Sequence, residues 1–163
     1  MGSQNTANGH AALYHNTSGS NNIASGFAAL FSNTMGYYNT ANGSTALYSN
    51  TTGINNTANG YAAGSNITTG SGNIAIGYNS QVASPTASDQ LSIGNWIYGT
   101  SGNIGIGTST PTAKLEVIGN IIADNPILPN HVATRAYVDA AIVNAGDEMA
   151  NCIPASQALM NAK

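Results

Sequence analysis

Asn5, Asn22, Asn39, Asn56 and Asn73 stand seventeen residues apart, without slippage over five copies. A linker has no need of such phasing, so the Asn-, Thr- and Gly-rich first half is an array of like units and not disordered filler. Within each copy the third position is Ala (Ala7, Ala24, Ala41, Ala58, Ala75) and the fifth is Gly (Gly9, Gly26, Gly43, Gly60, Gly77). A second glycine holds the fifteenth position of four copies, as Gly19, Gly36, Gly53 and Gly70.

Two glycines per copy, each beside Asn, Ser or Thr, mark two corners. The runs HAALYH, FAALFS and STALYS between them are short and carry the aromatic residues that strands favour. Two strands and two corners per copy predict one coil of a flattened parallel β-solenoid, or β-roll. Stacked at the inter-strand spacing, five coils make a body about 20 to 25 Å tall.

Stacking also accounts for the charge distribution. Only 6% of the residues are charged, against roughly a quarter in ordinary domains. Up to Ser88 the chain has no formal charge beyond two histidines, His10 and His15. A repeat position stacks on itself, so a charged column would repel itself, whereas an Asn amide donates to one neighbour and accepts from the other. The phased asparagines are therefore expected to form a structural ladder. Leu13, Leu30 and Leu47 hold the ninth position and Tyr14, Phe31 and Tyr48 the tenth. Neighbours in a strand face opposite ways, so one column fills the interior and the other faces out as an interface; the aromatic column is the expected interface. Gly64 interrupts the leucines, and the interface is expected to change there.

The charge of -3 and pI of 5.3 offer no footprint for nucleic acid or an anionic membrane. No segment has the apolar length of a membrane span, and Met1 is followed by no signal-like run. The expectation is a chain that inserts in no membrane and is an excerpt or a mature product. Metal-ligand spacing is absent from the His, Cys and acidic residues, so no metal or cofactor is expected. Glycoside hydrolysis needs two facing carboxyl groups, but Asp89, Glu116, Asp124, Asp139, Asp147 and Glu148 all follow the repeats. Gly105 and Gly107 precede Thr, Ser and Pro, not a helix, which leaves a phosphate loop unsupported. Sequons at Asn16, Asn50, Asn55 and Asn66 follow from composition alone. Trp96, beside Ile97 and Tyr98, is expected to pack at a domain junction, with a sugar platform as the alternative.

Three segments result: β-roll repeats over 1–89, a β transition over 90–124 and a C-terminal segment over 125–163. Lys114 to Ile118 alternates polar and apolar residues between Pro111 and Gly119 and predicts a strand. Asn130 as N-cap and Gly146 as stop predict a helix over about 131–145. Val138 and Ile142 lie on its apolar face as interface candidates, with Arg135 and Asp139 paired at four residues. Cys152, the single cysteine, is a candidate interchain cross-link, with a buried free thiol as the alternative.

The units NTANGHAAL, NIASGFAAL and NTANGSTAL resemble the head repeats of trimeric autotransporter adhesins of the YadA type. DQLSIGNWIYGTSGNIGIGTSTPTAKLEVIGN and NHVATRAYVDAAI resemble segments that follow such repeats in bacteriophage tail fibres and related bacterial surface fibres. The resemblance implies a left-handed roll and a homotrimer. Members of those groups often continue into a membrane translocator or a self-cleaving chaperone; residues 143–163 resemble neither, so the expectation is that such a part has been removed or that the protein belongs to a branch without it. The expected protein is a non-catalytic, extracellular trimeric fibre module, on a cell surface or a virion tail, that attaches to a surface receptor or glycan. A structural filament subunit and a glycan-degrading tailspike are the alternatives.

Overall fold

Each repeat forms one coil, and its strand is the three-residue segment after the phased asparagine. In the computed structural model, which describes residues 2–121, these strands are β1 (Thr6–Asn8), β2 (Ile23–Ser25), β3 (Thr40–Asn42), β4 (Thr57–Asn59) and β5 (Ile74–Ile76). They pair in parallel and in register: Thr6 on Ile23, Ile23 on Thr40, Thr40 on Thr57 and Thr57 on Ile74. A parallel pair needs a long crossover, and the remainder of each coil supplies it. The fold is a mainly β solenoid of about five turns, with no helix among the described residues.

The regular pairing runs one strand beyond the fifth asparagine. β6 (Leu91–Ile93) lies parallel on β5, with Leu91 opposite Ile74. β7 (Ile97–Thr100) and β8 (Asn103–Ile106) then turn back as antiparallel neighbours, and β9 (Leu115–Val117), inside the predicted Lys114–Ile118 strand, pairs in parallel with β8. All nine strands form one sheet in chain order.

The interior is narrow because its columns are small. Ala24, Ala41, Ala58 and Ala75 point inward from the strands and are fully buried, as are Ala29, Ala46 and Ala63 across the coil. Leu13, Leu30 and Leu47 fill the same core. Burial thus makes leucine the inward column.

The second expected strand of each coil is absent. HAALYH and its equivalents are turns, because φ is positive at Ala11 and Leu13 (58° and 53°), Ala28 and Leu30 (51° and 50°), and Thr45 and Leu47 (56° and 50°). For residues with a Cβ this conformation costs about 1 kcal/mol each. Hydrogen bonds between coils hold it in place. The Leu30 N–H donates to Ala46 O at 3.0 Å and the Leu47 N–H to Ala63 O at 3.0 Å, while the Ala28 N–H donates the other way, to His10 O at 2.9 Å. Alternating the sign of φ cancels the helical twist, so successive side chains still fall on opposite sides.

The two glycine columns serve different needs. Gly9, Gly26, Gly43, Gly60 and Gly77 have φ between 115° and 139°, where only glycine is at ease. Gly19, Gly36, Gly53 and Gly70 are not among the positive-φ residues. They are glycine because the coils touch there: a Cβ on Gly36 would strike the Gly53 carbonyl and the Asn33 side chain.

The predicted helix over 131–145, with Val138 and Ile142, and Cys152 lie outside the described residues.

Candidate functional site

The side chains that join coil to coil are the phased asparagines. Asn22 Oδ1 accepts the backbone N–H of Asn39 at 2.9 Å, and Asn39 Oδ1 accepts that of Asn56 at 2.9 Å. Asn5 and Asn56 serve Asn22 and Asn73 in the same way, at 2.9 Å each. The Nδ2 of Asn39 donates to Asn22 Oδ1 at 3.1 Å and to Gly53 O at 2.8 Å. Asn22, Asn39, Asn56 and Asn73 are fully buried, and these bonds meet the requirement that buried polar groups be paired. Gln90 takes the sixth place: its N–H reaches Asn73 Oδ1 at 2.9 Å. Its own side chain folds back onto the preceding coil, accepting from the Ser84 N–H at 2.9 Å and donating to Ser84 O at 2.8 Å.

A second asparagine column, at the twelfth position, goes beyond the expected ladder. Asn33 Nδ2 donates to Asn16 Oδ1 at 3.0 Å and Asn50 Nδ2 to Asn33 Oδ1 at 2.9 Å. Both columns converge on the fifteenth-position carbonyl: Gly36 O accepts from Asn22 at 2.8 Å and from Asn33 at 3.0 Å. The signal was open to view in the spacing of Asn16, Asn33 and Asn50. Two of the sequon asparagines, Asn16 and Asn50, are thereby engaged in the body of the solenoid.

On the outside, Tyr14, Phe31 and Tyr48 stack on one another. Ring centroids are 5.4 and 5.1 Å apart with planes within 6° and 1° of parallel, and His15 meets Tyr14 and Phe31 edge-on at 4.9 and 4.8 Å. Phe31 is stacked on both faces, while Tyr14 and Tyr48 at the ends of the column remain exposed. A second outward column, at the sixth position, contains His10, Phe27, Ser44, Tyr61 and Tyr78. His10 stacks on Phe27 at 5.4 Å and Tyr61 on Tyr78 at 5.3 Å.

The sheet itself carries the largest change along the chain. The residues flanking the central one of each strand are Thr and Asn in β1, β3 and β4, but Ile74 and Ile76 in β5 and Leu91 and Ile93 in β6. The pairing carries this on: Ile93 faces Ile97, Ile97 faces Ile106, and Ile106 faces Val117, while Ile104 faces Leu115. Side chains paired across strands share a face, so these form two apolar rows on one side of the sheet. Ile74, Ile76, Ile93, Ile104, Ile106 and Leu115 are all exposed. The motifs NIAIG, QLSIG and NIGIG announce these rows in the sequence.

Trp96 is not packed: it is 76% exposed, because it sits in the tight link between β6 and β7 with its N–H held by Ile93 O at 3.0 Å. Glu116 accepts from the Thr112 N–H at 2.7 Å and hydroxyl at 2.9 Å. These donors, the N–H first, hold its carboxyl below the usual carboxylate range. Among the described residues, no three His, Cys, Asp or Glu gather as metal ligands and no helix is long and apolar enough to cross a membrane.

These features define a β-solenoid with an amide-laddered interior and two kinds of patterned outer face. The chain matches no protein-family model, no curated protein and no solved structure.

Proposed function

We propose that this protein is a non-catalytic, extracellular attachment module that works as a homotrimer, with the paired apolar rows of β5–β9 as the self-association surface. The observation that carries this is the exposed aliphatic face Ile74, Ile76, Ile93, Ile104 and Ile106, which the pairing of β5 to β9 makes continuous across five strands. A contiguous apolar face of this kind marks an interaction site. It spans five strands, whereas the Tyr14, Phe31 and Tyr48 column spans three coils and its middle ring is already stacked on both faces. The number three, the left-handed roll and the setting on a cell surface or virion tail rest on the resemblance of the repeats. Attachment then works through avidity, with three equivalent copies of a repetitive surface each binding weakly.

Light scattering on the parent and on the Ile76→Lys/Ile106→Lys variant tests the association. A trimeric parent and a monomeric variant with unchanged β circular dichroism support it; a monomeric parent, or a variant of parental mass, overturns it. Attachment is tested by binding of labelled protein to bacterial and animal cells, where parental binding no stronger than that of the monomeric variant counts against avidity.

A further inference from the structure

The sixth-position column is a ladder with one rung missing. Gly and the residue two places on recur in the same conformation from coil to coil, with φ of 136°, 139° and 130° at Gly26, Gly43 and Gly60 and of 51°, 56° and 52° at Ala28, Thr45 and Ala62. The residues between them, Phe27, Ser44 and Tyr61, therefore leave the backbone in the same direction. Phe27 and Tyr61 are 56% and 53% exposed. Each has a ring partner on its far side, His10 and Tyr78 respectively, and between the two pairs stands only a serine.

Phe27 and Tyr61 are two coil steps apart, so their rings flank a gap of about 9 to 10 Å. A flat ring placed midway would lie about 5 Å from each, within the ordinary range for stacked rings of about 4.5 to 7 Å and close to the 5.1 to 5.4 Å of the ladders already present. The floor is Ser44, whose backbone carbonyl is occupied by the Ala62 N–H at 2.9 Å and the Thr45 hydroxyl at 2.8 Å. Its hydroxyl takes part in no hydrogen bond among the described residues, and the coils up to Ser88 carry no carboxylate to balance a cation.

We infer that this gap is a binding slot for a single neutral pyranose ring, of the kind with all its hydroxyls equatorial. Such a sugar presents C–H groups on both faces and hydroxyls only at its rim. Both faces then meet aromatic rings while the rim meets Ser44 and water. A cationic group would lack a counter-charge, and a plain aromatic ring would leave the serine hydroxyl without a partner. The slot gives the attachment reading, on which it rests for its role, a ligand class. It is complete within one chain, so loss of association and loss of sugar binding are separate results.

The test is titration of the full chain with cellobiose, followed by the ring proton resonances of Phe27 and Tyr61. The parent is expected to bind with Kd on the order of 1 mM, shifting those rings and leaving Tyr14 unmoved. Ser44→Tyr supplies the missing rung and is expected to weaken binding at least about tenfold while raising the thermal midpoint. Tyr61→Ser removes one wall and is expected to weaken binding without restoring a ladder. The inference is overturned by a parent that does not bind, by a folded Ser44→Tyr protein that binds as well as the parent, or by tighter binding of phenol or methylguanidinium than of cellobiose.

Discussion

Ile67 fills the space that Gly64 leaves open: a Cβ on Gly64 would lie 3.1 Å from Ile67 Cδ1 and 3.1 Å from Leu47 Cδ2. In the coils before, leucine holds the ninth position and asparagine the twelfth; the fourth coil has glycine and isoleucine there, and Ile67 is fully buried. The pair is one exchange, not two. Gly64→Leu alone overpacks the core, at about 1 to 3 kcal/mol. Ile67→Asn alone leaves a cavity and costs about 3 kcal/mol. Together they restore the unit of the earlier coils, so the double variant is expected to be more stable than the sum of the singles by about 1 to 3 kcal/mol. Urea unfolding of all four proteins measures this, and strict additivity would show that the two sites do not share space.

Asn39→Asp tests the ladder. The carboxylate keeps the acceptor for Asn56 but loses the amide donors to Asn22 and Gly53, and it faces their oxygens in a buried site. The expected loss at neutral pH is about 3 kcal/mol or more. Burial beside oxygens makes the folded state hold the proton more tightly than the unfolded state, so stability rises as pH falls. Thermal midpoints at neutral and acidic pH check the sign; a variant that weakens with acid, as the parent's carboxylates would have it, contradicts the ladder geometry.

Replacing Tyr14, Phe31 and Tyr48 together by Ser removes two stacked contacts worth about 0.5 to 1.5 kcal/mol each. Stability should fall while the mass in solution stays parental, the opposite of the sheet-face variant. A triple variant that becomes monomeric at unchanged stability would move the interface back to the aromatic column.

Much of the coil was legible because phase is a property of the whole chain. The asparagine spacing gave the register of every strand pair from Thr6–Ile23 to Thr57–Ile74. What misled was local. Ala11, Leu13, Ala28 and Leu30 adopt positive φ without a glycine to mark it, since bonds from the neighbouring coils impose a conformation that residue type argues against. The split roles of the glycine columns were hidden for a related reason, as close approach and positive φ select the same residue. The apolar rows of β5–β9 were written in alternate positions of NIAIG, QLSIG and NIGIG, and show their meaning only once the antiparallel turn at β6–β7 places them side by side.

Glu116 gives a local pH marker. Its carboxyl is held low first by the Thr112 N–H and then by the Thr112 hydroxyl. A lowered folded value means the contribution is fully present above the unfolded pKa and is lost as pH falls through the folded one. The side chain lies at the surface and is screened by solvent, so the effect on overall stability is small. Carboxyl carbon titration by NMR should find Glu116 below ordinary glutamates, and Thr112→Val should raise it only part of the way, because the stronger N–H donor stays.

Gln90 lets the array count. Each buried asparagine offers its oxygen forward to the next coil, but the longer side chain of Gln90 turns that oxygen back to the Ser84 N–H of the coil before it. One added methylene lets the side chain reach back instead of forward. The ladder thus ends on a residue that offers no oxygen to a further coil, just where the sheet turns back from β6 to β7; an asparagine there would leave an acceptor facing outward with nothing to take it up.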